Sequence, residues 1–306
     1  MSNPLLPRRS FLLYLPLLGT LPTLAAQKRT TNGYLIGCYT RPWDQWDLDQ
    51  ALDGVALAGF HWVGLMTAKG NPNIIIHPGL STAQANQIGA KAKQRDLSIC
   101  SVYGDFQPTP NLNSSRQQLR QLIDLCTACG SHELLLGGTT NPDAYDAFLK
   151  AVAAECPHAQ QQNVGITLKP HGGLNATGAQ CRQAVQRVNH PSFRLWYDPA
   201  NILYYSNGQL DPLKDVLDVD GLVVGMSIKD FLPPNNVLIN PGTGLVNFTP
   251  LFARLRLGGF TRGQLLVECT APGSFTEITE AAKQARLLTE RLARGQPFQG
   301  LKPEPQ

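Results

Sequence analysis

Four places in the second half of the sequence put acid–base or ion-holding side chains directly behind an apolar run. "GITLKPHGG" (165–173) brings Lys169 and His171, "WYDPAN" (196–201) brings Asp198 and Asn201, "SIKD" (227–230) brings Lys229 and Asp230, and "LLVEC" (265–269) brings Glu268. Brought together, these groups make a ring of two or three carboxylates, a histidine and one or two lysines. Burying such charges is costly unless they pair or hold an ion. A ring of this composition is therefore a candidate site for proton transfer or metal binding. Taken singly, each residue could equally be the solvated polar end of a strand.

The elements that must position them are readable from residue 34 onward, where short β-type runs alternate with helical patterns. Eight strands are expected: 34–39, 60–66, 98–104, 133–138, 164–169, 193–198, 222–229 and 264–269. Several are apolar almost throughout, as strands covered on both faces are. Capping-box spacings mark helix starts at Ser81 with Gln84, Ser114 with Gln117, Thr177 with Gln180 and Ser274 with Glu277. Tyr145, Phe148, Leu149, Val152 and Cys156 form the apolar face of a further helix beginning after Pro142. Eight βα units in about 270 residues predict an α/β protein with a single (β/α)8 TIM-barrel domain over 34–294. A doubly wound sheet is the alternative, but no glycine-rich dinucleotide fingerprint follows the first strand. In a barrel, catalytic groups lie at the carboxyl ends of the strands, which is where the nominated residues fall. Glu133 lies at a strand start and reads as structural. "NPGTGLVNF" (240–248) could be a phosphate cradle, though a turn before the next helix is the plainer reading.

Charge and leader sequence narrow the partners. Arg8 and Arg9 precede an apolar stretch from Phe11 to about Leu24, with Ala25 and Ala26 behind it. This order reads as a signal peptide over 1–26, and the pattern around the arginine pair resembles a twin-arginine export motif, implying that machinery as a partner and a periplasmic destination. The stretch is shorter than the roughly 20 residues a bilayer span needs, and Pro16 and Pro22 interrupt it, so no stable membrane span is expected after processing. Without that leader, 24 Lys and Arg face 22 Asp and Glu, and no basic run suggests a nucleic-acid partner. The seven cysteines are scattered, and the "CTAC" pair Cys126 and Cys129 falls on a helix's apolar stripe, which favours core positions over a metal or redox motif. The tail 295–306 is proline-rich and reads as loosely attached.

"WYDPAN", "SIKD", "PGTGLVNFTPLFARLRLGGF" and "LLVEC" occur in an order and spacing that resembles the xylose-isomerase-like barrel superfamily, which includes sugar phosphate isomerases and epimerases. The resemblance spans roughly 34–294 and is most specific in the last four strands. It implies a divalent metal (Mn, Zn or Mg) held by a glutamate, an aspartate, a histidine and a glutamate at the ends of strands five to eight. It also implies two glutamates moving a proton next to a carbonyl that the metal polarises. Asp198 and Glu268 match the aspartate and second glutamate; Lys169 stands in place of the first glutamate and Ser227 in place of the histidine. An ammonium is no ligand and a serine hydroxyl a poor one, although His171 could substitute.

The expected function is an exported sugar or sugar-derivative isomerase or epimerase with a small carbohydrate substrate. Lys169, Glu268 and His171 are its catalytic candidates, with Glu268 as base and Lys169 or a metal as electrophile. Asn201, Lys229 and Asp230 are the substrate-binding candidates, and Asp198 and Glu268, with His171, the metal candidates. The alternatives are a non-catalytic carbohydrate-binding barrel, or a lyase or hydrolase acting on a keto-sugar glycoside.

Overall fold

The computed structural model describes residues 30–296. The leader over 1–26 and most of the proline-rich tail lie outside the described residues. Eight parallel strands follow one another in sequence order: β1 (Tyr34–Tyr39), β2 (Trp62–Leu65), β3 (Ser98–Gly104), β4 (Glu133–Leu136), β5 (Gly165–Leu168), β6 (Phe193–Tyr197), β7 (Val223–Ile228) and β8 (Gly263–Val267). β8 pairs back onto β1, from Tyr34 opposite Gly263 to Cys38 opposite Val267, so the sheet closes into a single (β/α)8 barrel. A two-residue strand, Thr30–Thr31, adds an antiparallel turn of chain to β1. Outside the sheet lie α1 (Leu48–Leu57), α2 (Thr82–Gln94), α3 (Leu112–Cys129), α4 (Pro142–Gln161), α5 (Gly178–Val188), α6 (Pro199–Tyr205), α7 (Pro212–Asp215), α8 (Phe248–Leu257) and α9 (Phe275–Ala293).

The capping boxes expected at Ser81, Thr177 and Ser274 open α2, α5 and α9. The one expected at Ser114 does not form. Asn111 caps α3 instead, its side chain accepting from the amides of Asn113 and Ser114, so the helix starts one turn earlier. Cys126 and Cys129 lie on the buried face of α3, and all seven cysteines are buried free thiols. Among the described residues no helix is long and apolar enough to cross a membrane.

Most of the core lies between barrel and helices, but a second cluster fills the barrel itself: Tyr39, Met66, Cys100, Leu135, Trp196 and Leu266. Two glycines make room for its rings. A Cβ at Gly64 would fall 2.3 Å from the Tyr39 ring, and one at Gly225 would fall 2.3 Å from Trp196. Successive residues of a strand point to opposite faces, so the inward position after Trp196 is Asp198 and the one after Leu266 is Glu268. The same alternation carries β5 from Thr167 to Lys169 and β7 from Ser227 to Lys229. Four polar side chains thus reach one point above an apolar plug.

Candidate functional site

At that point lies a network of ion pairs and hydrogen bonds. Lys229 donates to Asp198 Oδ2 (2.7 Å), Asn201 Oδ1 (2.8 Å) and Glu268 Oε1 (3.0 Å). Lys169 donates to both oxygens of Glu268 (3.1 and 3.2 Å) and stands 3.5 Å from Asp198 Oδ2. Arg41, directly behind β1, donates to Glu268 Oε1 at 3.0 Å. From one layer below, Ser227 donates to Glu268 Oε2 (2.7 Å) and accepts from the Trp196 indole (2.9 Å). Asp198 Oδ1 caps α6 through the amide of Asn201. Asp198 and Glu268 are fully buried, and the two lysines are each 2% exposed.

Burial alone raises a carboxyl pKa, but the ammonium groups of Lys169 and Lys229, the Arg41 guanidinium and the Ser227 hydroxyl together hold Glu268 well below the usual carboxylate range. For Lys229, burial works against the charge, and Asp198 and Glu268 more than offset it. Above the network, His171 packs against Tyr205 with ring centroids 5.5 Å apart, and the Lys169 ammonium lies 5.6 Å from the centre of the Tyr103 ring. Burial first, then the charges of Lys169 and Lys229, lower the His171 pKa to about 3, so its imidazole is neutral at physiological pH. Burial, then the nearby carboxylates of Asp105 and Glu268, keep the Tyr103 phenol protonated.

Of the seven nominated residues, six enclose this point and one does not. Asp230 turns away: its carboxylate accepts from the amides of Phe231 (2.8 Å), Gly242 (2.8 Å), Gly244 (2.9 Å) and Val246 (3.0 Å). It is therefore spoken for as an anchor, which corrects its reading as a substrate contact. The "NPGTGLVNF" segment is more than a plain turn, since its amides cradle this internal carboxylate. Lys229 and Asn201 are also committed within the chain. All three ammonium protons of Lys229 have acceptors, and the Asn201 amide accepts from Lys229 while donating to the Pro170 carbonyl at 2.6 Å. Both oxygens of Glu268 are engaged by cations or hydroxyl, an arrangement suited to an anchoring anion rather than a proton-accepting base.

Arg41, Tyr103 and Tyr205 went unnominated although they face the site. Arg41, in "YTRPW", obeys the strand-end rule that singled out the others. Tyr103 is hidden by its place within an apolar strand, and Tyr205 arrives from the end of α6, whose position the sequence alone does not fix.

The side chains present do not fit a divalent ion. Two ammonium groups and a guanidinium already surround Asp198 and Glu268, and a further cation among them would be repelled. Among the described residues no group of three or more His, Cys, Asp or Glu side chains is placed to hold a metal.

The family model for xylose isomerase-like TIM barrels matches residues 52–291, and the chain belongs to that family. Among solved structures it is similar to a D-psicose 3-epimerase determined with D-fructose (13% identity, TM-score 0.67, covering 85% of this chain and 99% of that one). It is also similar to a D-allulose 3-epimerase from Methylomonas sp. in complex with D-allulose (18%, TM-score 0.66, 84% and 96%). An L-ribulose 3-epimerase is similar as well (15%, TM-score 0.63, 85% and 94%). No curated protein matches the sequence.

Proposed function

We propose that the protein is a sugar or sugar-derivative isomerase or epimerase that moves a proton on the carbon next to a carbonyl. The observation that carries this reading is the Lys169 ammonium, held in place by Glu268 and lying 5.6 Å from the centre of the Tyr103 ring, with its charge helping to keep the neighbouring His171 imidazole neutral. Kinship with barrels that bind ketoses supports it.

In this reading the substrate carbonyl oxygen accepts from Lys169. His171 takes the proton from the adjacent carbon, and the electron pair of the broken C–H bond passes to the oxygen as an enediolate. Lys169 offsets that charge in a site with little water to screen it. Return of the proton from His171 to the neighbouring carbon, with the hydroxyl proton passing between the two enediolate oxygens, gives the isomer, while delivery of a proton to the first carbon from a water on the opposite face, His171 giving its own proton back to solvent, gives the epimer. The low basicity of His171 in the free protein comes partly from the two lysines, so negative charge developing on the substrate raises it when the proton has to move. Glu268, Asp198, Lys229 and Ser227 are positioning residues that fix the Lys169 ammonium.

Incubation with a panel of ketoses and sugar acids in D2O, followed by NMR, tests the reading. The expected result is deuterium entering at the carbon next to the carbonyl of a turned-over sugar, with His171→Gln slowing it at least a hundredfold while the thermal midpoint holds. Saturable binding without exchange would instead support the carbohydrate-binding barrel, and release of an aglycone from a keto-glycoside would support the lyase or hydrolase.

A further inference from the structure

The polar groups at the barrel mouth divide into those already committed and those still open. Lys229, Asn201, Asp198 and Glu268 are bonded to one another, and Asp230 is bonded to backbone amides. The Tyr103 phenol and the His171 ring differ from these. Among the described residues neither side chain has a hydrogen-bond partner, and both residues are half-buried, in contrast to the sealed lysines beneath them. Gly137, directly behind β4, shows how close the two stand. A Cβ there would lie 3.0 Å from the Tyr103 hydroxyl oxygen and 3.2 Å from His171 Nδ1. Hydroxyl and ring nitrogen therefore flank one bare Cα, their separation no greater than the sum of those distances. The Lys169 ammonium lies 5.6 Å from the centre of the same Tyr103 ring. Tyr103 is thus a neighbour of both groups that the proposed reaction uses.

Isomerisation asks for a group of this kind. As the carbon-bound proton moves through His171 to the neighbouring carbon, one oxygen must gain a proton and the other must lose one. Lys169 is unsuited to that exchange, because Glu268 and Asp198 hold its charge in place and an ammonium has no lone pair with which to accept. His171 is occupied with the carbon. A phenol both donates and accepts. Burial, then the nearby carboxylates of Asp105 and Glu268, keep the Tyr103 phenol protonated, so it does not act as a base alone. Giving one proton while taking another leaves it neutral throughout. Tyr205, the other phenol beside His171, is the more exposed of the two and so less shielded from competing water.

We infer that Tyr103 is a further catalytic residue, whose hydroxyl relays the proton between the two enediolate oxygens and so directs the reaction to the isomer. This rests on the proton-transfer reading and adds to it the residue that decides between isomer and epimer. In the relay the Tyr103 O–H bond breaks as its proton passes to the former carbonyl oxygen, and a new O–H bond forms on Tyr103 with the proton of the neighbouring hydroxyl. The electron pair of that hydroxyl bond completes the new carbonyl, while the carbon–carbon double bond collects the proton from His171. Deuterium incorporation and product analysis, run together on Tyr103→Phe in D2O with the panel of ketoses and sugar acids, test it. Phenylalanine keeps the ring beside Lys169 and removes only a hydroxyl without a partner in the chain, so the fold should hold. Lys169 and His171 still form the enediolate. Exchange at the carbon next to the carbonyl should therefore persist at close to the natural rate, while conversion to the isomer falls by about a hundredfold or more, the scale of a positioned proton-transfer group. Conversion by Tyr103→Phe at near the natural rate would overturn the inference, as would a natural protein that makes the epimer and no isomer; either would leave the proton-transfer reading standing. Equal loss of exchange and conversion in Tyr103→Phe would also overturn the relay, since the hydroxyl would then act before the enediolate forms. Absence of exchange by the natural protein on every sugar of the panel would overturn the reading itself, and the relay with it.

Discussion

Lys169 and Lys229 are alike in sequence, each a lysine closing an apolar strand, yet their surroundings give them different work. Among the cations of the described residues Lys229 lies nearest Asp198, at 2.7 Å against 3.5 Å for Lys169, and it also holds Asn201 and Glu268, so without it Asp198 loses its close cation. Lys229→Met is expected to cost about 3 to 5 kcal/mol, the range for stripping the partner from a buried charge. Lys169→Met leaves Lys229 and Arg41 to balance the two carboxylates, so it should cost only about 1 to 2 kcal/mol while abolishing proton transfer. Urea unfolding of both variants checks the order, and a larger loss for Lys169→Met would contradict the division of roles. The convergence of Lys169, Asp198 and Glu268 was legible because strand ends in a barrel meet. What their atoms are bonded to was not. A sequence places the Asp230 carboxyl near the mouth, but the four amides that claim it come from a loop whose path is set by tertiary packing.

At the scale of elements, the alternation within each strand puts one residue at the mouth and another at the floor. On β4 the floor residue is Glu133, buried against Gly165, where one carboxyl oxygen has no hydrogen-bond partner. Burial pushes its pKa up to about 8. With the folded-state value raised, the stability it contributes is full below the unfolded value near 4.5 and is lost as pH rises through about 8. The natural protein should therefore lose a few kcal/mol between about pH 5 and pH 9, and Glu133→Gln should flatten that slope. Melting curves across the range decide it, a parallel decline in both proteins counting against the assignment. Strand positions and three of four capping boxes were readable because period, apolarity and cap chemistry are local. The start of α3 was not, since Asn111 and Ser114 both have cap-forming side chains and only the folded chain selects between them.

For the molecule as a whole, the barrel places two carboxylates at the positions where the family resemblance implies metal ligands, and surrounds them with fixed cations. The central claim is that Lys169, held by Glu268, supplies the positive charge that the resemblance assigns to a divalent ion. Eight alternating βα units made the closed barrel legible, while the charge balance at its mouth depended on Arg41, which only the fold brings across to Glu268. The most direct measurement is calorimetric titration of Mn2+ into chelator-treated protein, alongside the Lys169→Glu, Ser227→His double variant. The account predicts no saturable binding in the natural protein at micromolar Mn2+ and a clear gain in the variant, where two of the implied ligands are restored. Tight, stoichiometric Mn2+ binding by the natural protein, lost in Asp198→Asn, would contradict it.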